Sequence, residues 1–211
     1  MSGVNYELYT WPTPNGRKVS IMLEELGVSY TAIPINIISG EQRKEFFKSI
    51  SPNGKIPILR DIDESLHLME SGVILHYLAK KHHRFLPKDH ESYYEVMQWL
   101  FFQVAHIGPM LGQNHHFNFY NKGKSAYAEI RYIDESKRLY AVLDERLHER
   151  SFIVNEYSIA DIATWPWIAR YQRQAIDIED YPNVLRWYRS IAEREAVQKG
   201  YKLLSEDEVI P

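Results

Sequence analysis

Three short stretches of the sequence combine polar residues with proline and glycine in patterns that could bind or activate a small ligand. The first is TWPTPNG, between a predicted strand and a predicted helix. Thr13, Asn15 and the Gly16 backbone are expected at the helix N-terminus, where N–H groups and positive potential stabilise an anion such as a thiolate. Two prolines fix φ and hold the loop rigid. The plainer alternative is that Asn15 is only the helix N-cap.

The second stretch is SPNGKIPIL, in which Pro57 opens a short predicted strand. A proline cannot donate to the strand ladder, so it belongs at a sheet edge or beside a ligand. If the Ile56–Pro57 bond is cis, the Ile56 backbone N–H and C=O are free to pair with an extended peptide. The alternative is an ordinary edge-strand proline, because cis bonds are a minority even before proline.

The third stretch is HLMESGVIL, which places Glu70 and Ser71 at the start of a predicted helix. Free N–H groups and positive potential there suit a carboxylate ligand. The Glu70 carboxylate could at the same time accept hydrogen bonds from an ammonium group. Together they would fit a ligand end that carries both groups, and the alternative is a simple N-cap pair.

The composition excludes several other kinds of site. The chain of 211 residues contains no cysteine, which excludes a disulfide scaffold, a Cys₄ zinc site and a protein thiol nucleophile. The nine histidines do not occur at metal-ligand spacing, so we predict no metal. With a net charge of −3 and no basic stripe, no nucleic-acid partner is expected.

No apolar run reaches the length of about 20 residues that spans a bilayer, so no membrane partner is expected. The residues after Met1 lack the basic and apolar regions of a signal peptide. These observations predict a soluble cytoplasmic protein.

The strands and helices that must position these three stretches are predicted in the order β-α-β-α-β-β-α over residues 1–84. Alternating apolar residues predict the strands, and helical spacing predicts the helices between them. The last two strands are too close for a crossover and must form a hairpin. This order predicts an α/β thioredoxin-like domain.

After a linker, strand patterns nearly vanish and residues 91–211 are predicted to form an all-α domain. Helices are expected at about 91–119, 124–149, 158–172 and 182–194. Pro109 should kink or break the first of them. Ser158 and Asp161 form an S-x-x-D capping box, which we interpret as a structural device.

The sequence resembles a known family over nearly its whole length. The order and spacing of SPNGKIPIL, ESGVILHYL and SIADIATWPW are similar to those of the cytosolic glutathione transferases. The closer resemblance is to the bacterial nu class, carried by PTPNGRKVSIMLEE, GEQ, IGPMLGQNHHF and RLYAVLDERL. That class is similar to the transferase-like domain of the prion-forming yeast nitrogen regulator. The resemblance implies a thioredoxin-like domain, an all-helical domain and a homodimer.

The resemblance also implies a glutathione site. Pro57 would be the cis proline, and the Ile56 backbone would pair with the cysteinyl part of glutathione. Glu70 and Ser71 would hold the γ-glutamyl group, and Gln42 would contact the glycyl end. The remaining residues that the resemblance implies are Thr13 and Asn15 near the glutathione sulfur, together with Lys55 and Arg131 as further glutathione contacts.

The implied activity is glutathione-dependent disulfide-bond reduction, in which glutathione supplies both thiols as a co-substrate, with one or two molecules per subunit. Conjugation of electrophiles and reduction of organic hydroperoxides are alternative reactions of the same site. A non-catalytic regulatory module that keeps the fold is the alternative from a different functional class.

Overall fold

The computed structural model describes residues 5–205 and 207–211. Contacts between residues divide the chain into two units. The first ends at Arg84 and also includes Arg194–Ile210, and the second is Phe85–Glu193 with the last residue.

The first unit contains a four-stranded sheet. Its strands are β1 (Tyr6–Thr10), β2 (Tyr30–Pro34), β3 (Ile58–Asp61) and β4 (Leu66–Leu68). The spatial order is β2-β1-β3-β4, with β1 and β2 parallel and β3 antiparallel to both of its neighbours. The predicted thioredoxin-like order and the terminal hairpin are confirmed.

Proline and glycine define the ends of the elements around the sheet. Pro34 lies on the edge strand β2, where a missing N–H costs little. Helix α1 (Pro14–Leu26) begins with a proline at its first position and ends at Gly27, whose φ of 67° is the left-handed conformation that glycine adopts freely. A short 3₁₀ turn (Glu41–Arg43) precedes α2 (Glu45–Ile50).

Helix α3 (Ser71–His82) packs against the sheet and α1. Ile74, Leu75 and Leu78 are fully buried, whereas Val73 is 52% exposed. A helix with apolar residues at three successive positions allows either choice of face, and only the packing partner decides between them.

The structure differs from the predicted division of the chain at helix α9 (Glu195–Lys202). Sequence patterns did not predict this helix, and the residues fell within the predicted 91–211 domain. The contacts group α9 with the first unit because it packs on α1. The two helices approach so closely at Gly200 that an added Cβ would lie 2.6 Å from the Ile21 backbone.

The second unit is helical, as predicted. Its helices are α4 (His90–Phe102), α5 (Gly108–Asn114), α6 (Ala126–Arg146), α7 (Ile159–Ile168) and α8 (Pro182–Ala192). Pro109 does not break the first helical segment. A π-helical turn at Gln103–Ile107 precedes it, and such a turn accommodates the carbonyl that the proline ring leaves without its usual donor.

Candidate active site

A cavity of about 340 Å³ lies on the first unit, at the low end of the range for small-molecule sites. The loop before α1, the loop before β3 and the start of α3 meet there. Its lining residues are Asn15, Ser51, Asn53, Lys55, Ile56, Pro57, Met69, Glu70 and Ser71. The structure therefore brings together predicted residues that lie more than fifty positions apart in the sequence.

The start of α1 supplies Asn15. Thr13 is the N-cap of α1, and its hydroxyl oxygen accepts a hydrogen bond from the Gly16 N–H at 3.2 Å. Asn15 is the second residue of the helix, so the N-cap alternative for this residue was wrong, and its side chain borders the cavity. Gly16 is required for this close turn, because a Cβ there would lie 2.4 Å from the Trp11 carbonyl oxygen.

The loop before β3 supplies backbone groups. The Ser51 hydroxyl accepts from the Lys55 N–H at 3.2 Å and donates to the Lys55 carbonyl at 2.9 Å, which closes the loop. The Ile56–Pro57 bond is cis. Among the described residues, no partner takes the hydrogen-bonding groups of the Ile56 backbone. The loop therefore offers one donor and one acceptor at the cavity, as an extended peptide would require.

The start of α3 supplies the polar end of the cavity. Glu70 precedes the helix with φ at 68°, a conformation that costs free energy for a residue other than glycine. Its side chain makes no capping hydrogen bond to α3, so the first N–H groups of the helix have no side-chain cap. Ser71, the first helical residue, is buried and faces the cavity. This arrangement favours an anion at the helix start.

Three predicted residues, Thr13, Gln42 and Arg131, are not among those that line the cavity. The Gln42 amide nitrogen donates to the Ile37 carbonyl at 3.3 Å, and the Gln42 side chain does not line the cavity. The Gln42 backbone lies beside Gly54, which belongs to the loop before β3. Arg131 lies on α6 in the second unit, where it lines a separate groove of about 600 Å³. Their contacts with a ligand stay predictions.

Sequence reasoning did not assign a role to Ser51, Asn53 or Met69, which also line the cavity. Ser51 and Asn53 carry the polar side chains typical of a tight turn before glycine, and this signal was available in the sequence. Met69 carries no such signal, because its position depends on how β4 joins α3.

Across residues 5–205 and 207–211, no group of three or more histidine, aspartate and glutamate side chains is placed to hold a metal ion. In the same residues, each helix is too short or too polar to pass through a lipid bilayer.

The thioredoxin-like sheet, the helical second unit and the cavity at the cis proline define a class of protein, and comparison with known families agrees. The sequence matches the glutathione S-transferase N-terminal domain family over residues 8–85 and the glutathione S-transferase C-terminal domain family over residues 93–195. The chain belongs to the glutathione transferase superfamily.

Individual relatives are similar over nearly the whole chain. The disulfide-bond oxidoreductase YfcG of Escherichia coli (strain K12) is 45% identical over 196 residues, covering 90% of this chain and 91% of YfcG. A Pseudomonas putida glutathione transferase with one glutathione disulfide bound per subunit superposes with a TM-score of 0.90 and 41% identity, covering 94% and 91% of the two chains.

A second solved structure is a glutathione transferase family member from Pseudomonas fluorescens with two glutathione molecules bound. It superposes with a TM-score of 0.88 and 41% identity, covering 93% of this chain and 92% of the other.

Proposed function

We propose that this protein is a nu-class, glutathione-dependent disulfide-bond reductase that acts as a cytoplasmic homodimer. The observation that carries the proposal is the meeting of Asn15, the Ile56 backbone and the start of α3 in one cavity of a chain without cysteine. The names and bound ligands of the similar proteins support it, since they include a disulfide-bond oxidoreductase and complexes with one glutathione disulfide or two glutathiones.

Glutathione would bind along this cavity as an extended tripeptide. The Ile56 backbone would pair with its cysteinyl residue, as one strand pairs with another. The start of α3 would bind the γ-glutamyl end. Ser71 and the N–H groups of the helix would donate hydrogen bonds to its carboxylate, and the Glu70 carboxylate would accept hydrogen bonds from its ammonium group. Gln42 would contact the glycyl end, and Lys55 and Arg131 would supply further contacts.

The reaction needs two thiols, and glutathione would supply both. The thiolate of one bound glutathione attacks a substrate disulfide, forming a mixed disulfide and releasing one substrate thiolate, which takes up a proton. The thiolate of a second glutathione attacks the glutathione sulfur of the mixed disulfide. Glutathione disulfide forms, and the second substrate thiolate leaves. One or two glutathione sites per subunit are compatible with this sequence.

The protein's contribution to the chemistry would be to favour the thiolate at the start of α1. The Thr13 oxygen accepts from Gly16, which leaves its own proton to donate, and the Asn15 amide provides further donors. The helix dipole adds about 0.3–1 kcal/mol for an anion in this position. One pKa unit corresponds to about 1.4 kcal/mol, so we expect the loop to lower the thiol pKa by one or two units at most.

The direct test is glutathione-dependent turnover of 2-hydroxyethyl disulfide beside conjugation of 1-chloro-2,4-dinitrobenzene. We expect disulfide turnover to exceed conjugation, and Asn15→Ala to lower disulfide turnover at least about tenfold, as loss of a donor to a developing anion does. Glu70→Gln should raise the KM for glutathione.

Glu45→Gln is the matched control, because Glu45 is an exposed carboxylate in the first turn of α2, away from the cavity. Its kinetic constants should equal those of the unaltered protein. Strong conjugation that is unaffected by Asn15→Ala would contradict the proposed reaction. Glutathione binding without any turnover would instead indicate a regulatory module.

A further inference from the structure

A buried lysine lies directly behind the start of α3. Lys18, on α1, is only 2% exposed. Its ammonium nitrogen donates a hydrogen bond to the Ser71 hydroxyl at 3.3 Å. Lysine is rarely buried to this degree, and Ser71 lines the cavity. When Lys18 is protonated, its positive charge therefore lies one side chain away from the cavity.

The direction of this hydrogen bond determines what Ser71 offers to a ligand. An ammonium group has three donors and no acceptor, so the Ser71 oxygen must accept and its own proton is left for another bond. In the described residues, no acceptor for that proton is present. Ser71 thus presents an O–H donor to the cavity beside the N–H groups of α3, which lack a side-chain cap. A carboxylate, which only accepts, matches this set of donors.

The adjacent Arg17 shows the structural use of a buried cation. It is also 2% exposed, but its guanidinium stacks on the Tyr201 ring, donates to the Tyr201 carbonyl and forms an ion pair with Glu208. These contacts fasten α1 to α9 and the segment after it. Lys18 instead directs its ammonium group at a residue of the cavity wall.

The surroundings of Lys18 disfavour its charge in the absence of a ligand. Burial lowers the pKa of the Lys18 ammonium to about 7, and the Glu70 carboxylate at the start of α3 partly opposes this. On α9, Tyr201 faces Arg17 instead. On β1, the Tyr9 hydroxyl donates to Glu7. Among the described residues, Glu70 is a charged group that acts on Lys18 from an element packed on α1.

We propose that Lys18 is a positioning residue for the γ-glutamyl carboxylate of glutathione, acting by holding the Ser71 hydroxyl as a donor and by placing a positive charge behind it. The inference rests on the proposed function, which places this carboxylate at the start of α3. It adds that the anion is recognised by a charge on α1 that the ligand does not touch.

The inference predicts that binding takes up a proton. A carboxylate at Ser71 would favour the charged form of Lys18, so its pKa must rise when the ligand binds. Proton uptake on binding means that the affinity for the ligand falls as pH rises. With the pKa of Lys18 near 7 in the free protein, the affinity should fall by about tenfold between about pH 6 and about pH 8. Lys18→Met, which keeps the approximate shape and removes the charge, should abolish this dependence.

The experiment is titration calorimetry with S-methylglutathione, whose blocked thiol cannot titrate, in buffers of different ionisation enthalpy. At about pH 8, ligand binding should add close to one more proton to the intact protein than to Lys18→Met. That extra proton binds to Lys18, because the titrating groups of the ligand contribute equally to both measurements. Lys18→Met should bind at least about tenfold more weakly at about pH 6. Lys48→Met, at an exposed lysine of α2, is the matched control and should behave as the intact protein.

A second ligand identifies the carboxylate. The S-methylated analogue in which 4-aminobutyrate replaces the γ-glutamyl residue keeps the amine and lacks only the α-carboxylate. The effect of Lys18→Met on affinity should disappear with this analogue. An equal loss of affinity for both ligands, or equal proton uptake by the intact protein and Lys18→Met, would overturn the inference.

A measurement on the intact protein covers the case in which Lys18→Met does not fold. The ¹³Cε resonance of Lys18 in lysine-labelled protein reports its titration, and its pKa should rise by more than about one unit when S-methylglutathione is added. An unchanged titration would overturn the role of Lys18. No binding of S-methylglutathione to the intact protein would contradict the proposed function itself.

Discussion

Two helix starts in this protein use the same residue types for opposite purposes. At the start of α7, Ser158 and Asp161 form a closed capping box, as predicted. The buried Asp161 carboxylate accepts from the backbone N–H groups of Ile153 and Ser158 and from the Trp187 indole, at 2.8–3.0 Å. Every one of these donors is satisfied inside the second unit.

At the start of α3, a glutamate and a serine leave the helix N–H groups without a side-chain cap. Glu70 is exposed and held at positive φ, and Ser71 faces a cavity. The difference follows from spacing. A carboxylate three residues after its serine reaches back to the cap N–H, whereas a glutamate immediately before its serine does not. The first arrangement stabilises the fold, and the second leaves donors for a ligand.

The largest effect expected from this comparison is the loss of stability in Asp161→Ala. The substitution leaves three buried N–H donors without an acceptor, those of Ile153, Ser158 and Trp187. Each such donor costs about 1–3 kcal/mol, so we expect the free energy of unfolding to fall by at least about 3 kcal/mol. Urea unfolding followed by circular dichroism measures it.

Glu70→Ala provides the contrast at the other helix start. We expect it to change the free energy of unfolding by no more than about 0.5 kcal/mol, because the Glu70 side chain is exposed and makes no capping hydrogen bond, while weakening glutathione binding. If Glu70→Ala destabilised the protein as much as Asp161→Ala does, the start of α3 would be a structural cap and the comparison would fail.

The next effect has the opposite sign. Lys18→Met should stabilise the protein near neutral pH, because burial lowers the pKa of Lys18 from 10.5 to about 7. Between these values the unfolded chain binds more protons than the folded one, so the stability of the intact protein rises with pH across that interval. Removing the lysine should therefore add on the order of 3 kcal/mol at about pH 7. The gain should vanish near pH 10.5.

Thermal and urea unfolding of both proteins across this pH range measure the gain. Lys48→Met, at an exposed position, should change stability by no more than about 0.5 kcal/mol at any pH. A Lys18→Met protein that is less stable than the intact one at about pH 7 would show that the lysine supports the fold. Its burial would then need no explanation from ligand binding.

The sequence was most informative where a local rule has a single solution. Gly27 ends α1, the short connection between β3 and β4 requires a hairpin, and the S-x-x-D spacing defines the cap of α7. Each of these features is set within a few residues, so neighbouring sequence alone determines it.

The features that the sequence could not predict depend on distant packing. Helix α9 is short and amphipathic, and nothing in its own residues states that Gly200 must contact Ile21 on α1. Lys18 lies on an amphipathic helix, and its proposed role depends on Ser71, which lies 53 positions away. The cavity likewise joins segments that only the tertiary fold brings together.

The smallest effect concerns Thr13, which combines the two uses of a helix start. Its oxygen caps α1 by accepting from the Gly16 N–H, and its proton is proposed to favour the glutathione thiolate. Thr13→Ala should lower stability by about 1 kcal/mol through loss of the cap. It should also raise the pKa of the bound glutathione thiol by up to about one unit, measured from thiolate absorbance in the ultraviolet.

Thr13→Asn separates the two roles, because asparagine is a good N-cap residue but has no hydroxyl group. We expect its stability to match that of the intact protein while the thiol pKa stays raised, as in Thr13→Ala. Thr13→Ser keeps both functions and should restore both values. If Thr13→Asn restored the thiol pKa as well, the hydroxyl would be unnecessary, and Thr13 would act only by fixing the helix start that presents Asn15.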